Sequence, residues 1–189
     1  VETTSYIALV HYPVKNKTGD TIVSAVTNLD LHDMARLACT YQLAGFYVIT
    51  PLEEQQEFVR ELVAHWREGS GGVLNPWRKM AFELIRIAPD LETVRRQIAT
   101  RHQAAPAVYA TTAAAMPGQI SWKTARQKIK EKNTLFLFGT AYGFCPELLE
   151  KTDGILRPIM ADNEYNHLSV RSAVSITLDR LLGDDNKGD

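Results

Sequence analysis

Short runs of branched and aromatic residues alternate along this chain with longer stretches whose apolar positions recur every three or four residues. The first run, Tyr6-Ile-Ala-Leu-Val-His11, has the length and branching of a buried strand. A polar connection over 13–24 follows and predicts an exposed loop. Leu31, Met34, Ala35, Ala38 and Tyr41 then fall on one face of an amphipathic helix, with Asn28 or Asp30 as its cap. Gly45 ends that helix, and Phe46-Tyr-Val-Ile49 predicts a second strand. Pro51 opens the next helix, with Glu53 and Glu54 in the first turn, where the helix dipole favours acids. It runs to about residue 68 and stops at Gly69-Ser-Gly-Gly72.

Residues 75–79 carry no clear period, and 82–87 admits a strand or a helix. Beyond them the pattern predicts helices over 90–102, 121–132, 146–151 and 168–182, with strands over 106–111, 135–138 and 154–159. Strands separated throughout by helices imply βαβ units and a mainly parallel sheet flanked by helices, an α/β fold. The expected organisation is one domain over 1–183 and a polar, disordered tail over 184–189.

At 189 residues, one domain is the natural size. A hydrophobic share of 45% against 23% charged argues for a packed core. The net charge of -1 gives no bulk attraction to nucleic acid, so any such binding needs local basic patches. Cys39 and Cys145 lie far apart without metal-ligand spacing, so neither a disulfide framework nor a metal site is expected, and a reducing cytoplasm suits them. No apolar run approaches the roughly 20 residues of a membrane span, so no membrane partner is expected. Val1 to Tyr6 shows no signal-peptide pattern.

Parallel sheets take ligands at the carboxyl ends of their strands. Two of the loops expected there stand out. Leu135-Phe-Leu-Phe-Gly-Thr-Ala-Tyr-Gly-Phe144 places Gly139 and Gly143 directly after a buried strand, where backbone can come close to a ligand. Read alone, two such glycines are as well explained by a tight turn. The second, Arg157-Pro-Ile-Met-Ala-Asp-Asn-Glu-Tyr-Asn-His-Leu-Ser-Val-Arg171, runs from a strand through a polar loop to a helix start. No Walker or GxGxxG loop is present.

These two segments resemble the second and third motifs of the SPOUT methyltransferases, and Asn28-Leu-Asp-Leu-His-Asp-Met-Ala-Arg-Leu-Ala38 resembles the first. The likeness runs from Tyr6 to Leu182, rests on motif order and spacing, and looks closest to a bacterial branch of RNA methyltransferases. It implies a C-terminal trefoil knot, S-adenosylmethionine (SAM) as cofactor, and methyl transfer to RNA, either tRNA or rRNA, by a homodimer. Carried over residue by residue, it implies cofactor contacts at Thr111, Phe138, Gly139, Thr140, Gly143, Phe144, Ile159, Asn166, Leu168 and Ser169. It implies a reaction centre at Arg36 and Asp30, with His167 as a further base candidate. Taken alone, Arg36 is an ordinary surface arginine and His167 an ordinary loop histidine. Many members carry Glu where this chain has Ala141, which keeps open a non-catalytic module that only binds RNA or a partner.

RNA requires cationic surface even on a near-neutral chain. Arg78 and Lys79 beside Trp77 form one candidate patch. Lys123 and Arg126, on the basic stretch after Trp122, form another, and Arg171 stands next to the third motif.

Overall fold

The computed structural model describes residues 3–163 and 165–184. Strand β1 (Ser5–Val10) leads into a short antiparallel hairpin, β2 (Val14–Lys15) with β3 (Thr21–Ile22). Helix α1 (Asn28–Thr40), β4 (Gly45–Ile49) and α2 (Glu53–Arg67) follow. Two short helices, α3 (Ser70–Leu74) and α4 (Pro76–Phe82), precede β5 (Ile85–Ala88) and α5 (Leu91–His102). The chain continues through β6 (Ala107–Ala110), α6 (Trp122–Lys128), β7 (Thr134–Gly139), α7 (Pro146–Leu149), β8 (Gly154–Ile155) and α8 (Val170–Leu182).

The six main strands form one parallel sheet in the order β5-β4-β1-β7-β6-β8. Alternation along β1 explains its two-sided burial. Ile7 and Leu9 point into a core shared with Leu31, Met34, Phe82 and Val174, whereas Tyr6, Ala8 and Val10 face Leu91, Val94 and Ile98. Helices therefore cover both faces, as the sequence pattern predicts.

Several local expectations need correction. Thr27, not Asn28 or Asp30, caps α1: its side chain accepts from the Asp30 N–H, and its hydroxyl donates to the Asp30 carboxylate at 2.7 Å. Ser169 caps α8 from just outside it, accepting from the Ser172 N–H, so the helix opens at Val170 rather than Leu168. The basic helix ends at Lys128, with Ile129 as its C-cap and buried in the core. The 13–24 connection is a hairpin with Val14 fully buried, not a plain exposed loop. The second helix does stop before Gly69, and Gly69 caps a separate short helix over the glycine-rich stretch. Phe82 closes α4 with its ring against His32 and Trp66, which delays β5 to Ile85. Strand β8 is only two residues long, and Leu156 then bridges Ile120. Of the expected tail, 185–189 lies outside the described residues.

Candidate functional site

Chain order reverses between β1 and β7. From β1 the sheet grows through β4 to β5, and the later strands β7, β6 and β8 fill the other side. Such a switch point opens a crevice at the carboxyl ends of the strands. Three loops gather on that edge, after β6, β7 and β8, and the first and third are tied to each other. The Thr111 hydroxyl donates to the Leu137 carbonyl at 2.9 Å, anchoring the first loop on β7. Asn166 Nδ2 donates to the Ala113 carbonyl at 2.7 Å, joining the third loop to the first. Ile120 N–H donates to Ile155 O at 2.8 Å, and Arg157 N–H donates to Ile120 O at 3.0 Å.

The loop after β7 turns sharply, with φ of 52° at Ala141 and 90° at Gly143. That region is costly for a residue with a Cβ, so Gly143 suits it and Ala141 is held there against its preference. The hairpin braces the turn. Tyr142 N–H donates to Lys15 O at 3.0 Å, and Lys15 N–H donates to Gly143 O at 2.9 Å. A Cβ on Gly139 would sit 3.2 Å from the Phe144 ring, so any side chain there would have to push that ring aside.

The expected contact residues fall on these loops with one distinction. Phe138 and Phe144 are buried core side chains and offer a ligand only backbone. Thr111, Thr140, Gly143, Ile159 and Asn166 are partly open, and Leu168 and Ser169 are exposed. Met116, Met160 and Leu168 leave apolar surface bare on the first and third loops. Apolar side chains with a few polar groups and a glycine turn make a suitable lining for an adenosine-bearing cofactor.

Asp30 and Arg171 come together where α1 and α8 begin. Arg171 Nε lies 3.2 Å from Asp30 and its Nη1 lies 3.1 Å from Asp33, so its guanidinium is engaged by two carboxylates. Arg36 sits farther along α1, exposed, and lines an open cavity of about 410 Å³ with Cys39, Asn75, Trp77, Arg78 and Met80. The Arg78 guanidinium is fixed over the Trp66 ring, 4.6 Å from its centroid. Lys79 is exposed beside them. On the other candidate patch Lys123 is exposed, but Arg126 Nε donates to the Arg180 carbonyl and Trp122 packs under the Arg180 guanidinium. His167 is exposed, with its ring against Tyr165.

The sequence reading missed His11. It is fully buried at the end of β1, and its Nδ1 lies 3.0 Å from the Ser24 hydroxyl. Burial lowers its pKa from 6.5 to about 4, against a smaller opposing pull from the Asp30 charge and the Ser24 backbone. A histidine closing an otherwise apolar strand was the available signal. Among the described residues no three His, Cys, Asp or Glu side chains gather as a metal site, and no helix is long and apolar enough to cross a membrane.

Solved structures share this architecture. An AdoMet-bound rRNA methyltransferase from Sinorhizobium meliloti superposes with a TM-score of 0.60 at 19% identity, over 96% of this chain and 56% of that one. TrmJ from Z. mobilis gives 0.62 at 17% identity, over 100% and 72%. At such identities the likeness establishes the fold, an α/β sheet of the SPOUT methyltransferase type.

The family model for SAM-dependent RNA methyltransferases matches residues 4–183, and the chain belongs to that family. It is 45% identical over 179 residues to a tRNA (guanine-N(1)-)-methyltransferase of Oleidesulfovibrio alaskensis, covering 95% of this chain and 42% of that protein. A protein of Aquifex aeolicus is 36% identical, over 94% of this chain and 87% of its own length. The chain thus spans about two fifths of the tRNA methyltransferases it matches.

Proposed function

We propose that the chain binds SAM within the loops following β6, β7 and β8 and methylates a nucleotide of tRNA or rRNA in the cytoplasm. The names of its longer relatives favour tRNA. The guanine-N1 chemistry in those names belongs to proteins more than twice as long and is not carried over. The supporting observation is that the loops after β6 and β8, bonded to each other and bearing exposed apolar side chains, stand beside the glycine turn after β7 at the switch point of the sheet. A C-terminal trefoil knot formed by these loops and a homodimeric assembly complete the reading.

When bound, the cofactor supplies an electrophilic methyl group on a sulfonium, so the protein's task is to hold, align and shield. Backbone at Phe138, Gly139, Thr140, Gly143 and Phe144 forms one wall. Thr111, Ile159, Asn166, Leu168 and Ser169 supply the others. Arg36 is assigned to the acceptor side, where a guanidinium can grip a phosphate bidentately. In a dimer it would serve the partner's cofactor. Asp30 is the candidate proton acceptor, and Arg171 holds its carboxylate in place. His167 is the alternative base, exposed on the third loop. Arg78, Lys79 and Trp77 offer RNA charge and a stacking face, with Lys123 and Arg126 as the second patch.

SAM should raise the melting temperature, and Gly139→Trp should abolish that shift. Absence of binding at millimolar SAM would sink the proposal. Labelled methyl transferred by the pure protein to RNA from a strain lacking it separates catalysis from a binding-only module.

A further inference from the structure

Thr140, Ser24 and His11 form a chain of polar groups at the carboxyl ends of β1 and β7, and donor counting fixes its direction. The Thr140 hydroxyl donates its one proton to the Val10 carbonyl at 3.0 Å. The Ser24 hydroxyl, in contact with Thr140 Oγ1, must then donate to it. With Ser24's proton spent, His11 Nδ1 must carry the hydrogen that reaches Ser24 Oγ at 3.0 Å. His11 is therefore the Nδ1–H tautomer, and its buried Nε2 is a bare acceptor without a partner among the described residues. Backbone reinforces the link, with Ser24 N–H donating to His11 O at 2.9 Å.

We infer that His11 is a positioning residue for the cofactor loop: its Nδ1–H, relayed through Ser24, sets Thr140 and so the course of Gly139 to Phe144. The inference rests on the reading of that loop as part of the SAM site. Thr140 is the residue at which the chain leaves β7 for the Ala141–Gly143 turn. Val10 closes the neighbouring strand β1 and His11 follows it directly, so the relay pins the loop's first residue to the end of the central strand. Asparagine presents its Nδ2–H at the same distance from the backbone as imidazole Nδ1–H, whereas leucine presents no donor.

The test uses the full chain, calorimetric titration with SAM, and ¹⁵N spectra of the histidine rings. Wild type should show His11 Nδ1 protonated and Nε2 as the bare nitrogen at neutral pH; the opposite tautomer overturns the inference. Ser24→Ala, at a half-buried position, should raise the SAM Kd about tenfold, the effect of one broken hydrogen bond. His11→Leu should do at least as much, and His11→Asn should stay within about threefold of wild type. Should His11→Leu fail to fold, Ser24→Ala and His11→Asn decide the matter. Retained binding in Gly139→Trp would refute the loop as a cofactor site. Lost binding there, with wild-type affinity in Ser24→Ala, would refute the positioning role alone.

Discussion

Lowering the pH should cost this protein stability through His11 specifically. The unfolded chain takes up a proton on this side chain near 6.5, whereas the folded chain does so only at about 4. Between those values the unfolded state holds more protons, so stability falls as pH falls. His11's contribution is complete above 6.5 and gone once the pH has passed below the folded value. The shift corresponds to about 3 kcal/mol in full, most of it lost by pH 4.5. Because the ring is fully buried, little of this is screened by solvent. Carboxylates titrate in the same window, so the informative quantity is a difference. Urea unfolding of wild type and His11→Asn, in steps from pH 7.5 to 4.5, should show the variant losing less by that amount. Parallel curves, or a wild type that gains on the variant as acid is added, would refute the reasoning.

Arg171→Met should lower stability by about 1 kcal/mol or less, since its pairs with Asp30 and Asp33 are part-exposed and screened. The loss should shrink in high salt, as followed by melting temperature. Gly72→Ala should cost about 1–3 kcal/mol, because the new Cβ would lie 2.3 Å from the Trp66 carbonyl oxygen, which is backbone and cannot swing aside. Denaturant titration measures it. Trp77→Ala should raise KM for RNA while leaving the SAM Kd unchanged, because that ring is 78% exposed. Trp122→Ala, which removes a ring packed under Arg180, should instead register in the melting temperature.

The central strands were legible because burial on both faces leaves apolar runs with no competing pattern. The regions that misled have tertiary causes. Gly69-Ser-Gly-Gly72 does mark the end of α2, but it gave no sign that a second helix starts at once, with Gly71 and Gly72 packed close against His65 and Trp66. Phe82 continues an apolar run that looks like strand, yet its ring is claimed by His32 and Trp66. The expected strand over 154–159 is shortened because Leu156 turns to Ile120, and Pro158 has no N–H to extend a ladder. At the site, motif order pointed to the loops after β6, β7 and β8. It did not indicate that Arg126 would bond the Arg180 carbonyl or that Arg171 would be held by two aspartates, because both depend on how helices distant in sequence meet. His11 escaped notice for the same reason, since its partners Ser24 and Thr140 come from separate parts of the chain.

The place of β1 at the middle of the sheet bears on how the molecule is made. Ser5 pairs with Thr134 and Val10 with Gly139, so β1, once synthesised, lacks one of its neighbours until β4, β5 and β6 have all been made. Its other neighbour, β4, is available early, and β1, β4 and β5 can assemble as a partial sheet with one raw edge. Pairings so remote in sequence close slowly, and an open strand edge invites pairing with other chains meanwhile. The crevice belongs to the half completed last. A nascent chain is therefore most exposed to aggregation before β7 arrives, and no ligand of the three loops can protect it during that interval.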